Sequence, residues 1–378
     1  MTHTFSFPTE IHFGFGARHQ VASQLTAQRT ARPLVVTDKG VAALPMTTEF
    51  VGELRDGGLD ANVFGGVWGN PTATQVREGV AAFREHRADA VVGFGGGAAL
   101  DVAKAIALMA VHPGDIMEYA WDHPQARQPT TPLPLFVALP TTAGTGSEVG
   151  RSAVISDDAT HAKKIIFSPV LLARTVFADP ELTLGLPPPI TAATGMDALA
   201  HNVESYLSPA YHPLCDGIAL EGARLAAGAL RPAVQDGANR AARADMLMAS
   251  MMGAIAFQKD LGAVHSCAHA LGTVTGAHHG LAIGIMFDHV MRFNASAVPA
   301  KFAELARVVG AGANANDFVT WLTQLKRDIG IPAQLDALGV KASQVPRLVE
   351  LAMADTCHRT NPRACSAGDF EQLFRHAL

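Results

Sequence analysis

An α/β domain with a parallel nucleotide-binding sheet, followed by an all-α domain, is the fold this sequence predicts, and three features predict it. Short β-type runs alternate with amphipathic segments through the first half, which is the pattern of βαβ units and a parallel sheet. A run of three glycines, Gly95-Gly96-Gly97, stands between a buried apolar run and a helix-forming one. At Leu182 to Pro189, L-T-L-G-L-P-P-P, the texture changes, and beyond the prolines nearly every segment is rich in helix formers. The expected domains are therefore 1–184 and 185–378.

Taken in order, R-P-L-V-V-T-D at Arg32 to Asp38 reads as a buried strand that ends on an acidic residue and a Lys39-Gly40 turn. Near Val63 a second unit begins, and Asn70-Pro71-Thr72 punctuates before the helical stretch A-T-Q-V-R-E-G-V-A-A-F-R-E-H. A-D-A-V-V-G-F gives another buried strand, the glycine run follows, and A-A-L-D-V-A-K-A-I-A-L-M-A has helical spacing. Three glycines there let backbone N–H groups approach a phosphate at the positive end of the helix dipole, whereas an ordinary strand-to-helix turn needs only one. The usual dinucleotide fingerprint fits poorly, because it puts its acidic residue about 20 positions after the glycines, and Asp38 precedes them. P-L-F-V-A-L-P-T-T-A-G-T-G-S-E-V is a strand running into a loop of small hydroxyl residues, which either donate to a ligand or simply populate a loop. In the second half, the methionines at 246, 248, 251 and 252 are expected to fill helix–helix contacts.

A chain of 378 residues exceeds the usual single core, in keeping with two domains. With 48% hydrophobic and 17% charged residues it is a well-packed globular protein. A net charge of −5 without any Lys/Arg block points away from nucleic acid and anionic membrane, and toward a small-molecule ligand. Four scattered cysteines form no disulfide framework and no C-x-x-C pair, so reduced thiols in a cytoplasm are expected. The first residues lack a signal-peptide pattern, and no apolar run approaches the ~20 residues that span a bilayer.

The chemistry is concentrated in D-A-L-A-H (Asp197 to His201) and V-H-S-C-A-H-A-L-G-T-V-T-G-A-H-H-G (Val264 to Gly280). Asp197/His201 and His265/His269 are i,i+4 pairs, which on a helix project from one face about 5–6 Å apart. Single histidines in Ala-rich helices are often core residues. Two such pairs among small residues, with a further imidazole at His278 or His279, instead suggest one carboxylate and three nitrogens. That donor set suits Zn²⁺ or Fe²⁺ and suits Mg²⁺ or Ca²⁺ poorly.

These residues occur in a familiar series. G-G-G-A-A-L-D-V-A-K, P-T-T-A-G-T-G-S-E-V, D-P-E-L-T, T-G-M-D-A-L-A-H-N-V-E-S-Y, G-A-V-H-S-C-A-H-A-L-G, H-H-G, V-M-R-F-N and N-P-R follow in an order that closely resembles the iron-containing (group III) alcohol dehydrogenases over almost the whole chain. The resemblance implies a dehydroquinate synthase-like architecture, with NAD in the interdomain cleft and Fe²⁺ or Zn²⁺ in the helical domain. Carried over by motif, the metal ligands are Asp197, His201, His265 and His279, the last because the family's third imidazole immediately precedes the glycine. His269 lies near the metal without binding it, and it either passes the released proton to solvent or only shapes the pocket. On the cofactor side the pattern picks out Asp38, Asn70, Gly96, Gly97, Asp101, Thr141, Thr142, Thr145 and Lys163. Ala98 departs from it, since relatives usually have Ser there, and it lacks that hydroxyl.

NAD is expected over NADP, because the Asp38 carboxylate would accept from ribose hydroxyls and repel a 2′-phosphate, unless it serves only as a turn cap. The substrate is expected to be a primary alcohol or aldehyde, and the protein a homo-oligomer, a dimer. Arg151, after the Thr/Gly/Ser loop, stands where relatives acting on simple alcohols usually carry an uncharged residue. Its planar fork suits a substrate carboxylate, or else it pairs with Glu148 or Asp157. With A-T-G-M-D-A-L-A-H, A-F-Q-K and C-H-R-T-N-P-R, the sequence looks most like the family's 4-hydroxybutyrate dehydrogenases, which interconvert 4-hydroxybutyrate and succinic semialdehyde. Two alternatives are a maleylacetate reductase, which typically lacks the aspartate that Asp197 supplies, and a dehydroquinate synthase-like lyase, against which D-A-L-A-H and V-M-R-F-N argue.

Overall fold

The computed structural model describes residues 3, 5–7, 9–160 and 162–378. Met1, where the first domain was expected to start, lies outside the described residues. The chain forms two compact units. An α/β unit comprises 6–142 and 146–183, and a helical unit takes the residues up to Phe5, Ala143–Thr145 and Leu184–Leu378.

Apart from short 3-10 turns, the α/β unit runs β1 (Glu10–Phe13), α1 (Val21–Ala27), β2 (Pro33–Asp38), the single turn α2 (Lys39–Ala42), α3 (Pro45–Asp56), β3 (Asn62–Val67), α4 (Ala73–Glu85), β4 (Ala90–Gly95), α5 (Gly97–Val111), β5 (Leu135–Pro140), β6 (Ser152–Ser156), β7 (Lys163–Phe167) and β8 (Thr175–Ala178). Six strands form one sheet in the order β1-β8-β5-β4-β2-β3, and every pairing is parallel. The expected parallel sheet is thus present. Strand β4 is buried from end to end and β2 up to Asp38, which is why both read as continuous apolar runs. On one face Phe50 of α3 stacks on Phe94 of β4, with ring centroids 4.8 Å apart. As the Pro71-Thr72 punctuation predicts, α4 opens with a capping box in which Thr72 accepts from Gln75 N–H and the Gln75 side chain accepts from Thr72 N–H. The antiparallel pair β6–β7 is an addition to the βαβ series predicted from sequence.

The strand order positions the ligand end of this unit. From β2 the chain moves outward to β3, then returns to place β4 on the other side of β2 and β5 beyond it. The order reverses between β2 and β4, and in open α/β sheets ligands bind outside the carboxyl ends of the strands at such a switch point. Asp38 ends β2 and Gly95 ends β4.

The helical unit contains α6 (Pro188–Leu207), α7 (Pro213–Gln235), α8 (Arg240–Ala256), α9 (Ala263–Thr275), α10 (His279–Asn294), α11 (Pro299–Val308), α12 (Ala315–Asp328), α13 (Val345–Ala354) and α14 (Ala367–His376). The three prolines sit at the cap and first turn of α6, where the missing N–H groups have no intrahelical partner to lose. Helix α6 packs against α7, α8 and α10, and every residue from Gly195 to Leu207 is buried. Close approach explains its small residues: a Cβ added at Gly195 would come within 2.2 Å of Leu230 Cδ1 on α7. Met246 and Met251 are buried in α8 and fill helix contacts, as expected. Among the described residues no helix is long and apolar enough to cross a membrane.

Candidate functional site

A helix as buried as α6 must account for its polar side chains, and Asp197, His201 and Glu204 all lie on one of its faces at i, i+4 and i+7. Asp197 Oδ1 is the common neighbour of three imidazoles. His201 Nε2 and His265 Nε2 stand 3.6 Å from it and His279 Nε2 stands 3.5 Å from it. These separations are too long for hydrogen bonds, and Asp197 Oδ1 and His265 Nε2 are buried without any hydrogen-bond partner. Donors around one tetrahedral ion with ~2.0–2.2 Å bonds lie about 3.3–3.6 Å apart, so the spacing fits a divalent cation among these nitrogens and the oxygen. Asp197, His265 and His279 offer ligand atoms all within 4.8 Å of one another, and His201 joins through Asp197. His278, the sequence alternative to His279, is an exposed residue capping α10 and is not in this group.

The electrostatics match a metal centre. Burial opposes charge on Asp197, yet the His201 and His279 imidazoles hold its carboxyl well below the usual range. Burial pushes His201 down to about 4 and His279 down to about 3, so both are neutral donors at physiological pH. Burial also acts against charge on His265, but the carboxylates of Asp197 and Glu204 win and push it up to about 9. A dication and a proton thus compete for the place between Asp197 and His265.

Glycines bring the helices together here. A Cβ at Gly253 of α8 would lie 2.8 Å from His201 Cβ. At Gly280, directly after His279, a Cβ would fall 2.2 Å from the Ala193 carbonyl oxygen and 2.6 Å from its carbon. Those are backbone atoms of α6 and cannot yield. Gly280→Ala is therefore expected to lower stability by about 1–3 kcal/mol and to pull His279 from the group. Urea midpoints would check this, and an unchanged midpoint would show that the start of α10 has room.

Two carboxylates escaped the sequence reading. Glu204, 2% exposed, meets His265 Nδ1 at 2.5 Å and accepts from Val264 N–H at 2.8 Å. Its signal was its place seven residues after Asp197. Asp355 meets His269 Nδ1 at 2.8 Å and also accepts from Ser266 Oγ and Cys357 N–H. Although burial opposes it, the bond to His269 keeps the Asp355 carboxyl below its ordinary range. Ring stacking sets His269 against His279, with centroids 5.3 Å apart.

In the α/β unit most of the expected cofactor residues gather at the carboxyl ends of the strands. Gly96 caps α5 and Gly97 begins it, so the N–H groups of its first turn face the switch point. The cradle is tight: a Cβ at Gly95 would collide with Ala99 Cβ at 2.6 Å, and one at Gly96 would press on Thr142 Cγ2 at 3.2 Å. Thr141 N–H donates to Gly95 O, which holds the next loop beside the glycines. Asp38 caps α2 by accepting from Val41 N–H through Oδ1 at 2.9 Å. Its other oxygen lies 3.5 Å from a Cβ built on Gly95, so the cap leaves one oxygen on the cradle. Asn70 is exposed beyond β3, Lys163 opens β7, and Thr145 belongs to the helical unit.

Asp101, another of the expected cofactor residues, also holds the following loop, each of its oxygens accepting one hydrogen bond inside the unit. Oδ1 accepts from Ser147 Oγ at 2.6 Å and Oδ2 from Val154 N–H at 2.9 Å. The fully buried Lys104 completes the cluster by donating to Ser147 Oγ and Ser152 O. Glu148 is buried too, and burial pushes its carboxyl up to about 7. This cluster fastens residues 147–154 onto α5. Arg151 is half-buried just before β6, its carbonyl accepting from Ser168 N–H. Asp157 accepts from Thr160 N–H, Thr160 Oγ1 and Ala159 N–H.

Residues 8–180 match the family described as iron-containing alcohol dehydrogenase, and residues 191–378 match the Fe-containing alcohol dehydrogenase family, C-terminal. The chain is 40% identical to the 4-hydroxybutyrate dehydrogenase of Cupriavidus necator, covering 98% of each protein. It is 39% identical to the 1,3-propanediol dehydrogenase of Citrobacter freundii, covering 98% of this chain and 97% of that one. Among solved structures, a 1,3-propanediol oxidoreductase superposes with a TM-score of 0.95 at 38% identity over all of both chains. A sulfoacetaldehyde reductase from Bifidobacterium kashiwanohense, in complex with NAD⁺, does so with a TM-score of 0.90 at 29% identity, covering 100% of this chain and 99% of that one.

Proposed function

Since the chain belongs to the iron-containing alcohol dehydrogenase family and is an enzyme of that class, we propose that it transfers hydride between NAD(H) and a primary alcohol or aldehyde, with Fe²⁺ or Zn²⁺ held by Asp197, His201, His265 and His279. The observation that carries this reading is the convergence of three imidazole nitrogens on one buried carboxylate oxygen at 3.5–3.6 Å. When bound, the cation supplies a Lewis acid for charge developing on the substrate oxygen, and the nicotinamide supplies the hydride acceptor or donor.

The side chains do the rest. Asp197 supplies the negative charge of the ligand set, and His201 and His279 supply neutral nitrogens. Alcohol oxidation releases a proton along with the hydride. His269 has its Nδ1 on Asp355, which leaves Nε2 as the position that hands the proton on. The first turn of α5, at Gly96 and Gly97, holds the pyrophosphate. Thr141, Thr142, Thr145, Asn70, Asp101 and Lys163 complete the cofactor contacts, and Asp101 also holds the 147–154 loop.

The Asp38 oxygen not used in the cap selects NAD by accepting from the ribose and repelling a 2′-phosphate. Asp38→Gly is expected to shift the kcat/KM ratio toward NADP by about tenfold or more, the loss of one hydrogen bond to a charged group. Equal use of both cofactors by the unmodified enzyme would refute this.

For substrate we favour a primary alcohol with a distal carboxylate, as in 4-hydroxybutyrate. Arg151 and the 40% identity to a 4-hydroxybutyrate dehydrogenase support this choice. A diol is the second reading, supported by the 39% identity to a 1,3-propanediol dehydrogenase. An NAD(H)-coupled screen of short alcohols, diols and ω-hydroxy acids, run with Fe²⁺ and with Zn²⁺, decides between them. Absence of turnover on the whole panel would reject the function itself.

A further inference from the structure

We infer that Glu204 governs metal loading, by holding His265 in the orientation and tautomer that present Nε2 and by supplying the second negative charge a buried dication requires. The inference rests on the metal reading above. Glu204 reaches α9 from α6 with both oxygens engaged: Oε1 accepts from Val264 N–H at 2.8 Å, and Oε2 faces His265 Nδ1 at 2.5 Å. When a cation displaces the second proton of His265, the ring keeps its remaining proton on Nδ1, which faces the carboxylate, so the lone pair is at Nε2. That nitrogen is the buried, unpartnered one directed at Asp197 Oδ1, 3.6 Å away.

Charge gives a second, independent reason. A dication with Asp197 and three neutral imidazoles keeps one net positive charge in a buried place, which is costly. Glu204, itself 2% exposed, brings the sum to zero. The chain makes room for it: a Cβ at Gly262 would lie 2.6 Å from Glu204 Oε1. The start of α9 does not depend on Glu204 alone, because Asn361 Oδ1 accepts from Ala263 N–H at 3.2 Å. Loss of the Glu204 charge therefore leaves a second anchor for the helix.

The test uses the full-length protein, stripped with a chelator and titrated with Zn²⁺ against a chromogenic competitor. In Glu204→Gln the side chain keeps its size but offers one acceptor oxygen to two N–H donors, so either Val264 N–H or His265 Nδ1 meets an amide NH₂. Zn²⁺ affinity is expected to fall about 10- to 100-fold, while NADH binding by fluorescence and the circular dichroism of the stripped protein stay at wild-type values. Glu204→Asp keeps the charge and both acceptors one methylene short, and is expected to fall between wild type and Glu204→Gln. Wild-type Zn²⁺ affinity in Glu204→Gln overturns the inference, as does equal weakening in both variants, which would assign the loss to packing. If only Glu204→Asp folds, weakened Zn²⁺ affinity with wild-type NADH binding and circular dichroism supports the inference, whereas unchanged affinity, or weakening accompanied by a changed spectrum, overturns it. Failure of the unmodified protein to bind Zn²⁺ stoichiometrically would instead overturn the metal reading.

Discussion

Asp197→Ala is expected to remove tight metal binding and to lower turnover by about 10³-fold or more. The substitution deletes the one atom that faces all three imidazole nitrogens, so no smaller group of donors can take its place. A Lewis acid at a reacting oxygen is worth several kcal/mol, and each 1.36 kcal/mol is a factor of ten in rate. His265→Ala should act in the same direction, because His265 is one of the three tightly grouped donors. Metal content by atomic emission and steady-state turnover are the paired measurements, with circular dichroism to confirm folding. A variant with full metal occupancy and full rate would remove Asp197 from the ligand set.

The second large effect is expected at Arg151, and it should depend on the substrate. Arg151→Leu should reduce kcat/KM for 4-hydroxybutyrate by roughly 10- to 150-fold, the cost of about 1.5–3 kcal/mol for a lost hydrogen bond to a charged group. Butanol, which has no carboxylate, should be turned over by the variant about as well as by the unmodified enzyme. The contrast between the two substrates is what distinguishes recognition from general damage to the 147–154 segment. Equal losses on both substrates, or an unmodified enzyme that prefers butanol, would end the ω-hydroxy acid proposal and leave the diol reading in place.

Local regularities in the sequence were easy to read, and groupings made by distant parts of the chain were not. The i,i+4 spacing of Asp197 and His201 marks one helix face, and Asp197 on that face meets His265 of α9 and His279 of α10. The glycine run marks the β4–α5 turn, where a Cβ at Gly95 would collide with Ala99. Asp355 had no such signal, since it meets His269 from 86 residues away and is brought there by the fold. The intramolecular partners of Asp101 had no local signal for a related reason. Its motif position says that it lies near the cradle, but the direction of its carboxylate is set by Ser147 and Val154, about 50 residues later. Strands β6 and β7 are five residues each and bounded by polar turns, too short for periodicity to separate them from loop.

The short segment Ala143–Thr145 belongs to the helical unit, although its neighbours on both sides belong to the α/β unit. A Cβ at Gly144 would lie 2.8 Å from Thr194 Cβ, and the Gly144 main chain lies beside His201. The two units are therefore not separable as genetic cassettes. A fragment starting at Leu184 would lack part of its own interior. A chimaera that took residues 6–183 from another protein would import a foreign tripeptide next to His201, so recombination between members of such a lineage is constrained to exchange that tripeptide and its packing surface together.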